Sequence, residues 1–137
     1  MGLVKINFYD AVFVKDNKSR VGMVIRNDEG HVIASCAKKL RAAYNEGEVE
    51  TMAATVALSL ASKIGIKRAI LEGDSLVVIK SLRENVKSLS PTGLLLEDVT
   101  ALSQNFDELL YSHTKREGNQ VAHSLVRYAM GIPDFLV

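Results

Sequence analysis

The sequence predicts a mixed α/β fold in which a five-stranded sheet is flanked by helices, in the order β-β-β-α-β-α-α-β-α. Three apolar segments within residues 3–38 are separated only by polar turns, which is typical of an antiparallel meander. A long helical pattern follows. After that helix, short apolar segments alternate with helical ones, which indicates that the later strands join the same sheet through helical connections.

The first three strands are predicted at residues 3–14, 21–27 and 31–38. Partial alternation of apolar and polar residues in the first segment is typical of a strand. Residues 15–19 are polar and form the first turn. The second turn ends at Gly30, where a tight hairpin favours glycine. Cys36 alternates with polar neighbours in the third strand, so we expect its side chain in the core.

The long helix is predicted from Glu46 to about Gly65, a residue type that often ends helices in a left-handed conformation. Its larger apolar residues recur at spacings of three and four, so we expect them on one buried face. They are Val49, Met52, Val56, Leu60 and Ile64. The alanines between them would let a sheet or another helix approach closely.

The remaining elements alternate along the chain. A short strand is predicted at residues 67–73, followed by a helix over 75–84 and a polar loop over 85–91. A third helix begins near Thr92 and runs to about Leu102, and residues 108–113 form the last strand. A charged loop then precedes a final helix capped by Asn119. Residues 133–137 are predicted to be a tail.

Length and composition limit the function classes. The 137 residues suffice for a core without disulfides, and we interpret residues 1–137 as a single domain. The net charge of +1 excludes a protein that binds phosphates by its overall field alone. The single cysteine cannot form an internal disulfide, which favours an intracellular location, cytoplasmic or nuclear. No apolar segment approaches the roughly 20 residues of a membrane span, so no membrane partner is expected.

Acidic side chains occur at three points that such a sheet brings together. They are Asp10 beside Tyr9 in the first strand, Glu50 at the start of the long helix, and Asp74 after the fourth strand. Converging carboxylates repel one another unless a cation lies between them, and oxygen ligands suit Mg²⁺ or Mn²⁺. Each residue also has a plain structural role: Glu50 would complement the helix dipole, and Asp74 would cap the next helix.

With these elements in place, the chain resembles ribonuclease H type 1, and within it the plant ribonuclease-H-like domains that accompany reverse transcriptases. Six segments in the same order carry the resemblance: Lys5-Ile-Asn-Phe8, Gly22-Met-Val-Ile-Arg26, Gly30-His-Val-Ile33, Glu50-Thr-Met-Ala-Ala54, Leu71-Glu-Gly-Asp-Ser75 and His113-Thr-Lys-Arg-Glu-Gly-Asn119, continuing as Val121-Ala-His-Ser-Leu125. It implies a ribonuclease H-like fold and a hydrolase that uses Mg²⁺ or Mn²⁺ to cut the RNA strand of RNA–DNA hybrids.

The resemblance also implies four catalytic positions, an Asp, a Glu and two further Asp. The Glu falls on Glu50 and the middle Asp on Asp74, which are the expected metal ligands. The first Asp, which bridges the metals, falls on Tyr9 without a gap, and the last falls on His123, which would ligate a metal or move protons. Because successive strand residues point to opposite faces, use of Asp10 instead of Tyr9 would require a bulge or a register slip.

Two functional hypotheses follow. In the first, Tyr9 fills the site in place of the bridging ligand, and the chain is a degenerate ribonuclease H-like domain that binds nucleic acid or a protein partner with little or no nuclease activity. In the second, the chain is an active nuclease that uses Glu50, Asp74, a re-aimed Asp10 and His123. Tyr9 would otherwise be a stacking platform for a base. The basic residues Lys38, Lys39, Arg41, Lys115 and Arg116 form either a phosphate-binding rim or a solvated face.

Overall fold

The computed structural model describes residues 3–13, 18–40, 46–84, 91–115 and 135–136. Within these residues six strands form one sheet in the order β5-β4-β1-β2-β3-β6. The strands are β1 (Val4–Phe13), β2 (Lys18–Arg26), β3 (Val32–Leu40), β4 (Arg68–Gly73), β5 (Glu108–His113) and β6 (Phe135–Leu136). The helices are α1 (Glu46–Lys63), α2 (Leu76–Glu84) and α3 (Pro91–Ser103).

The sheet is mixed, as the sequence predicts. Strands β1, β2 and β3 form the antiparallel meander, whereas β4 lies parallel to β1 and β5 parallel to β4. The segment predicted as a tail contains β6, because Phe135 pairs with Lys38 and Leu136 with Ala37. The predicted five-stranded sheet is therefore present, with a two-residue strand added beside β3.

The helix boundaries have clear local causes. Gly65 ends α1 with φ of +87°, and its N–H donates to the carbonyl of Ser62 while that of Ile66 donates to Ala61. Pro91 begins α3, where its missing N–H needs no partner. The predicted final helix from Asn119 lies outside the described residues. None of the described helices is both long and apolar enough to span a membrane.

The main core lies between α1 and one face of the sheet. Ile6 and Phe8 of β1 are fully buried in it, and Cys36 of β3 is buried there as predicted. The residues of α1 that are buried against the sheet and α3 are mostly small: Val49, Ala53, Ala54, Ala57, Leu58 and Ala61. Small residues let the helix axis approach the sheet closely, so each contact involves backbone as well as side chain.

The buried face of α1 therefore differs from the prediction. Val56 and Leu60 are only partly buried at the edge of the core, and Ile64 lies beyond the helix with 49% of its surface exposed. The prediction that the large apolar residues form the core stripe is thus wrong for Ile64 and only partly correct for Val56, Leu60 and the half-buried Met52. The alanines, which the sequence suggested only as points of close approach, form the centre of the contact.

The opposite face of β1 carries a buried polar pair. Asn7 alternates with Ile6 and Phe8, and its Nδ2 donates to Oε1 of Glu72 on β4 at 3.0 Å. The second carboxylate oxygen of Glu72 lies 3.6 Å from Nζ of Lys5. Because Asn7 and Glu72 are paired residues of adjacent parallel strands, this contact joins β1 to β4 just before β4 ends at Gly73.

Candidate active site

The side chain of Glu50 lies where three elements meet. It lies near the start of α1, as the fifth residue of the helix, and is 8% exposed. Its carboxyl is in hydrogen-bonding contact with the side chains of Asp10 from β1 and Asp74 from the end of β4. The structure therefore brings together three of the four residues that the sequence suggested for the site.

Asp10 reaches this cluster without any distortion of its strand. Side chains at every second position of a strand point to the same face of the sheet. Ile6 and Phe8 pack against α1, so the side chain of Asp10 also points toward α1. The pairing of β1 with β2 runs without interruption from Lys5 opposite Arg26 to Phe13 opposite Lys18. The expectation that Asp10 would need a bulge or a slip is wrong, because the strand already presents it to Glu50.

Tyr9 points to the other face of the sheet. It is 3% exposed, and it is absent from the core cluster that contains its neighbour Phe8. Its assignment as a side chain that fills the site in place of a ligand is therefore wrong. Its alternative role as a stacking platform is also excluded, since a base needs an exposed ring face. The strand-one residue of the cluster is Asp10.

Asp74 enters the cluster from the turn between β4 and α2. The sequence left open whether it caps α2, but the structure gives that role to Ser75: the Ser75 Oγ accepts from the N–H of Val78 at 3.3 Å, and the Ser75 carbonyl accepts from Ile79. Asp74 is consequently available to the carboxyl cluster. Serine before a helical segment is a common capping signal, and Ser75 could have been identified by it.

Gly73 sets the spacing between β4 and β1 beneath the site. A Cβ built at this position would lie 2.7 Å from Cε1 and 2.9 Å from Cε2 of the Phe8 ring, closer than real Cβ contacts allow. Glycine therefore permits the chain to pass over the ring. Phe8 precedes Asp10 by two residues, and Gly73 directly precedes Asp74. The close approach of Gly73 to the Phe8 ring therefore helps to set the distance between the Asp10 and Asp74 carboxyls.

The electrostatics of the cluster are those of crowded, buried carboxyls. Burial, together with the neighbouring Asp10 and Asp74 side chains, raises the pKa of Glu50 from 4.5 to about 11. Glu50 is thus protonated at neutral pH. Its Oε2 is buried and has no hydrogen-bond partner among the described residues. Two features of this arrangement, an oxygen-only donor set and an unused buried oxygen, fit a divalent cation.

The described side chains do not, however, form a ready-made cage of three or more metal-ligating residues. Glu50 contacts both Asp10 and Asp74, as expected where carboxyls share a proton. The remaining predicted site residue, His123, lies outside the described residues. Of the basic residues proposed as a rim, Arg41 and Arg116 also lie outside them, while Lys38 lies in β3.

The comparisons with known proteins agree on the fold. A family model described as reverse transcriptase-like matches residues 8–129. None of the curated proteins matches the sequence closely. Among solved structures, ribonuclease H1 of the archaeon Halobacterium salinarum is 24% identical, with a TM-score of 0.85 over 95% of this chain and 98% of that one.

Two further structures are similar. The N-terminal ribonuclease H domain of a Mycobacterium tuberculosis protein is 24% identical, with a TM-score of 0.83 over 93% of each chain. LC11-RNase H1, solved in complex with an RNA/DNA hybrid, is 17% identical, with a TM-score of 0.82 over 93% of this chain and 96% of that one. These similarities confirm the predicted ribonuclease H-like fold.

Proposed function

Because this chain belongs to the reverse transcriptase-like family and has a ribonuclease H fold, we propose that it is a metal-dependent nuclease that cuts the RNA strand of RNA–DNA hybrids. One observation carries the proposal: Glu50 contacts both Asp10 and Asp74, so three carboxyls from three elements meet at one point. The degenerate-site hypothesis depends mainly on Tyr9, which lies on the other face of the sheet, and secondarily on His123.

Asp10, Glu50 and Asp74 are the residues that would hold Mg²⁺ or Mn²⁺. When bound, such a cation polarises a phosphoryl oxygen and stabilises charge that develops during displacement. Asp10 supplies negative charge from within β1, and Asp74 supplies it from directly after the adjacent strand β4. Together they fix the position of the site relative to the sheet. Glu50 must give up its proton before its carboxylate becomes a ligand.

A hybrid substrate is supported by the relatives. The structure of LC11-RNase H1 contains an RNA/DNA hybrid, and its fold superimposes on nearly all of this chain. A net charge of +1 provides no strong field for nucleic acid of any kind. Recognition would therefore depend on local contacts around the carboxyl cluster, and discrimination between hybrid and duplex DNA on groups that sense the ribose 2′-hydroxyl.

One feature favours a second function. In the ribonuclease H family that this chain resembles, the last catalytic residue is an aspartate, whereas this chain has His123 at that position. A site with three acids and a histidine has less negative charge for cation binding. The alternative function is accordingly a nucleic-acid-binding or protein-interaction domain with weak or no nuclease activity.

A cleavage assay decides between the two. The purified chain is incubated with a hybrid labelled on its RNA strand, with Mg²⁺, Mn²⁺ or EDTA. We expect metal-dependent cleavage that Asp10→Asn and Glu50→Gln each lower by at least about 100-fold, since each removes a ligand. Tyr9→Phe is the matched control, because it changes the neighbouring strand residue outside the cluster, and it should keep most of the activity.

The opposite results would overturn the proposal. An inert wild-type chain that still binds the hybrid in a filter or fluorescence assay would establish the degenerate alternative. Activity that survives Glu50→Gln would mean that the cleavage comes from a contaminant or another site. If Tyr9→Phe lost activity while circular dichroism showed an unchanged fold, Tyr9 would have to be part of the active site.

A further inference from the structure

The pairing of β1 with β4 ends just before the carboxyl cluster. The last pair of this parallel ladder joins Asn7 to Glu72. Beyond that pair, the described residues of β1 pair only with β2, and the last residue of β4 pairs only with β5. The two strands therefore separate at this point. Asp10 follows the separation within β1, and Asp74 follows it directly after β4.

The side chains of the last pair are also joined to each other. Nδ2 of Asn7 donates to Oε1 of Glu72 at 3.0 Å. Asn7 alternates with the core residues of β1, so this hydrogen bond lies on the face of the sheet that points away from α1. The two residues are 2% and 9% exposed. A hydrogen bond to a carboxylate that is shielded from water is stronger than one at the surface, so it limits how far the strands move apart.

The face toward α1 carries the opposite constraint. There the ring of Phe8 packs against Gly73, so closely that glycine is the residue type that fits. The ring limits how near β4 comes to β1, while the hydrogen bond on the other face limits how far it moves away. The two contacts together set the separation from which the chain continues to Asp10 and to Asp74.

The amide of Asn7 has one favourable orientation. Turning the amide over would place its Oδ1 against the Glu72 carboxylate, and neither group could then donate. Lys5 holds the same carboxylate from the exposed side, with Nζ 3.6 Å from the Oε2 of Glu72. The contact between the two strands is therefore directional, unlike the packing of two apolar side chains.

This arrangement has a cost in stability. Oδ1 of Asn7 is buried and has no hydrogen-bond partner among the described residues. A buried acceptor without a partner is unfavourable, and two apolar side chains of similar shape would fill the space without that cost. Val24, which pairs with Asn7 from β2, is apolar and fully buried. The polar pair is thus a local departure from the most stable choice, which is typical of residues that serve a site.

We propose that Asn7 and Glu72 are positioning residues for the metal site. Their hydrogen bond sets the distance between Asp10 and Asp74, and through that distance the affinity for a divalent cation, which neither residue contacts. The proposal rests on the metal-binding part of the proposed function. Mg²⁺ requires oxygen ligands in near-octahedral geometry, so a small change in the distance between two carboxyls is enough to weaken its binding.

A purely structural pair would behave differently. Removing it would lower the free energy of unfolding but leave the cation affinity of the folded protein unchanged. Removing a positioning pair lowers the affinity whether or not the stability falls. Stability and affinity therefore have to be measured on the same variants.

The test uses the purified chain with Asn7→Leu and Glu72→Met combined, which removes the hydrogen bond and nearly keeps the volume. Calorimetric titration with Mg²⁺ and with Mn²⁺ measures affinity, and urea unfolding with EDTA measures stability. We expect a dissociation constant raised by at least about tenfold. The urea midpoint should equal or exceed that of wild type, because both polar partners are replaced together.

Two control variants separate positioning from stability. Val99→Ala opens a cavity in α3, an element that contributes no residue to the cluster, so it should lower the urea midpoint and leave the dissociation constant as in wild type. Glu72→Gln keeps an oxygen that accepts from Asn7 and should bind both cations as wild type does.

A donor–acceptor exchange supplies the rescue. Asn7→Asp alone sets two carboxylates against each other and should weaken cation binding. Adding Glu72→Gln reverses the hydrogen bond and should restore most of the lost affinity, which recovery of general stability alone would not do.

The overturning results differ for the two proposals. A wild-type chain that binds neither cation would overturn this proposal together with the metal-dependent nuclease. Unchanged affinity in the Asn7→Leu and Glu72→Met double variant, beside a wild type that binds, would overturn the positioning role alone. Failure of the donor–acceptor exchange to restore affinity would also contradict it.

Discussion

The ring of Phe8 lies against Gly73 so closely that a methyl group on that glycine would overlap it. This contact joins β1 to β4 directly beneath Asp10 and Asp74. We expect Gly73→Ala to lower the free energy of unfolding by about 1–3 kcal/mol, because a rigid ring and a backbone must separate to admit the new Cβ. Urea unfolding followed by circular dichroism measures the change.

The matched control for this substitution is Phe8→Leu. Leucine removes the atoms that the new Cβ would meet, so the double variant should be destabilised by less than the sum of the two single changes. Additive effects would contradict the proposed contact. The double variant should also recover part of any metal affinity lost in Gly73→Ala, because the distance between the Asp10 and Asp74 carboxyls depends on how closely Gly73 approaches the ring of Phe8.

The raised pKa of Glu50 makes stability depend on pH in a definite direction. Between pH 4.5 and about 11 the unfolded chain has lost this proton while the folded chain keeps it. The folded state therefore binds more protons, and the metal-free protein loses stability as the pH rises through this range. Below pH 4.5 both states are protonated and the effect is absent.

Glu50→Gln should remove that dependence. The amide has nearly the shape of the protonated acid but does not titrate, so we expect it to stabilise the metal-free protein at pH 8 by about 1–3 kcal/mol. Chemical unfolding at pH 5, 6.5 and 8 measures the slope for both proteins. Glu48→Gln, in the same helix turn but outside the cluster, should leave the slope as in wild type. Equal slopes for wild type and Glu50→Gln would disprove protonation of Glu50.

Cation binding should release a proton. At pH 7 the carboxyl of Glu50 is protonated, so Mg²⁺ must displace that proton to use the oxygen as a ligand. Calorimetric titrations with Mg²⁺ in buffers of different ionisation enthalpy should show about one proton released per binding event, and a higher apparent affinity at pH 8 than at pH 6. An observed enthalpy that does not change with the buffer would contradict this prediction.

Much of the fold could be predicted from local patterns. The order of the described elements, the end of α1 at Gly65 and the burial of Cys36 follow from periodicity and from residue types with strong conformational preferences. The pairing of β6 could not be predicted, because two residues carry no strand pattern and their register depends on β3. The packing face of α1 could not be predicted from its large aliphatic residues, because close contact with a sheet selects alanine.

The candidate site was predicted in part. The convergence of Glu50 and Asp74 could be anticipated, since each lies near the boundary of an element with a clear sequence pattern. The face of β1 was assigned wrongly because both of its faces are buried, and strands of this kind show no clean alternation. Ile6, Phe8 and Asp10 lie at every second position of β1 and therefore point to the same face. This alternation identifies Asp10 as the side chain that meets α1, whereas alignment with the family motif points to Tyr9.

Ser75 and Asp74 should respond to substitution in opposite ways. Ser75→Ala removes the acceptor for the N–H of Val78 and should cost about 1 kcal/mol of stability, as loss of a helix cap does. Asp74→Asn leaves that cap in place and removes one of the charges that crowd Glu50. We therefore expect Asp74→Asn to stabilise the metal-free protein while weakening Mg²⁺ binding by at least about tenfold. Thermal unfolding with EDTA and with excess Mg²⁺ compares the two variants. If Asp74→Asn destabilised the metal-free protein as much as Ser75→Ala, the main role of Asp74 would be structural, and the carboxyl cluster would lose its third member.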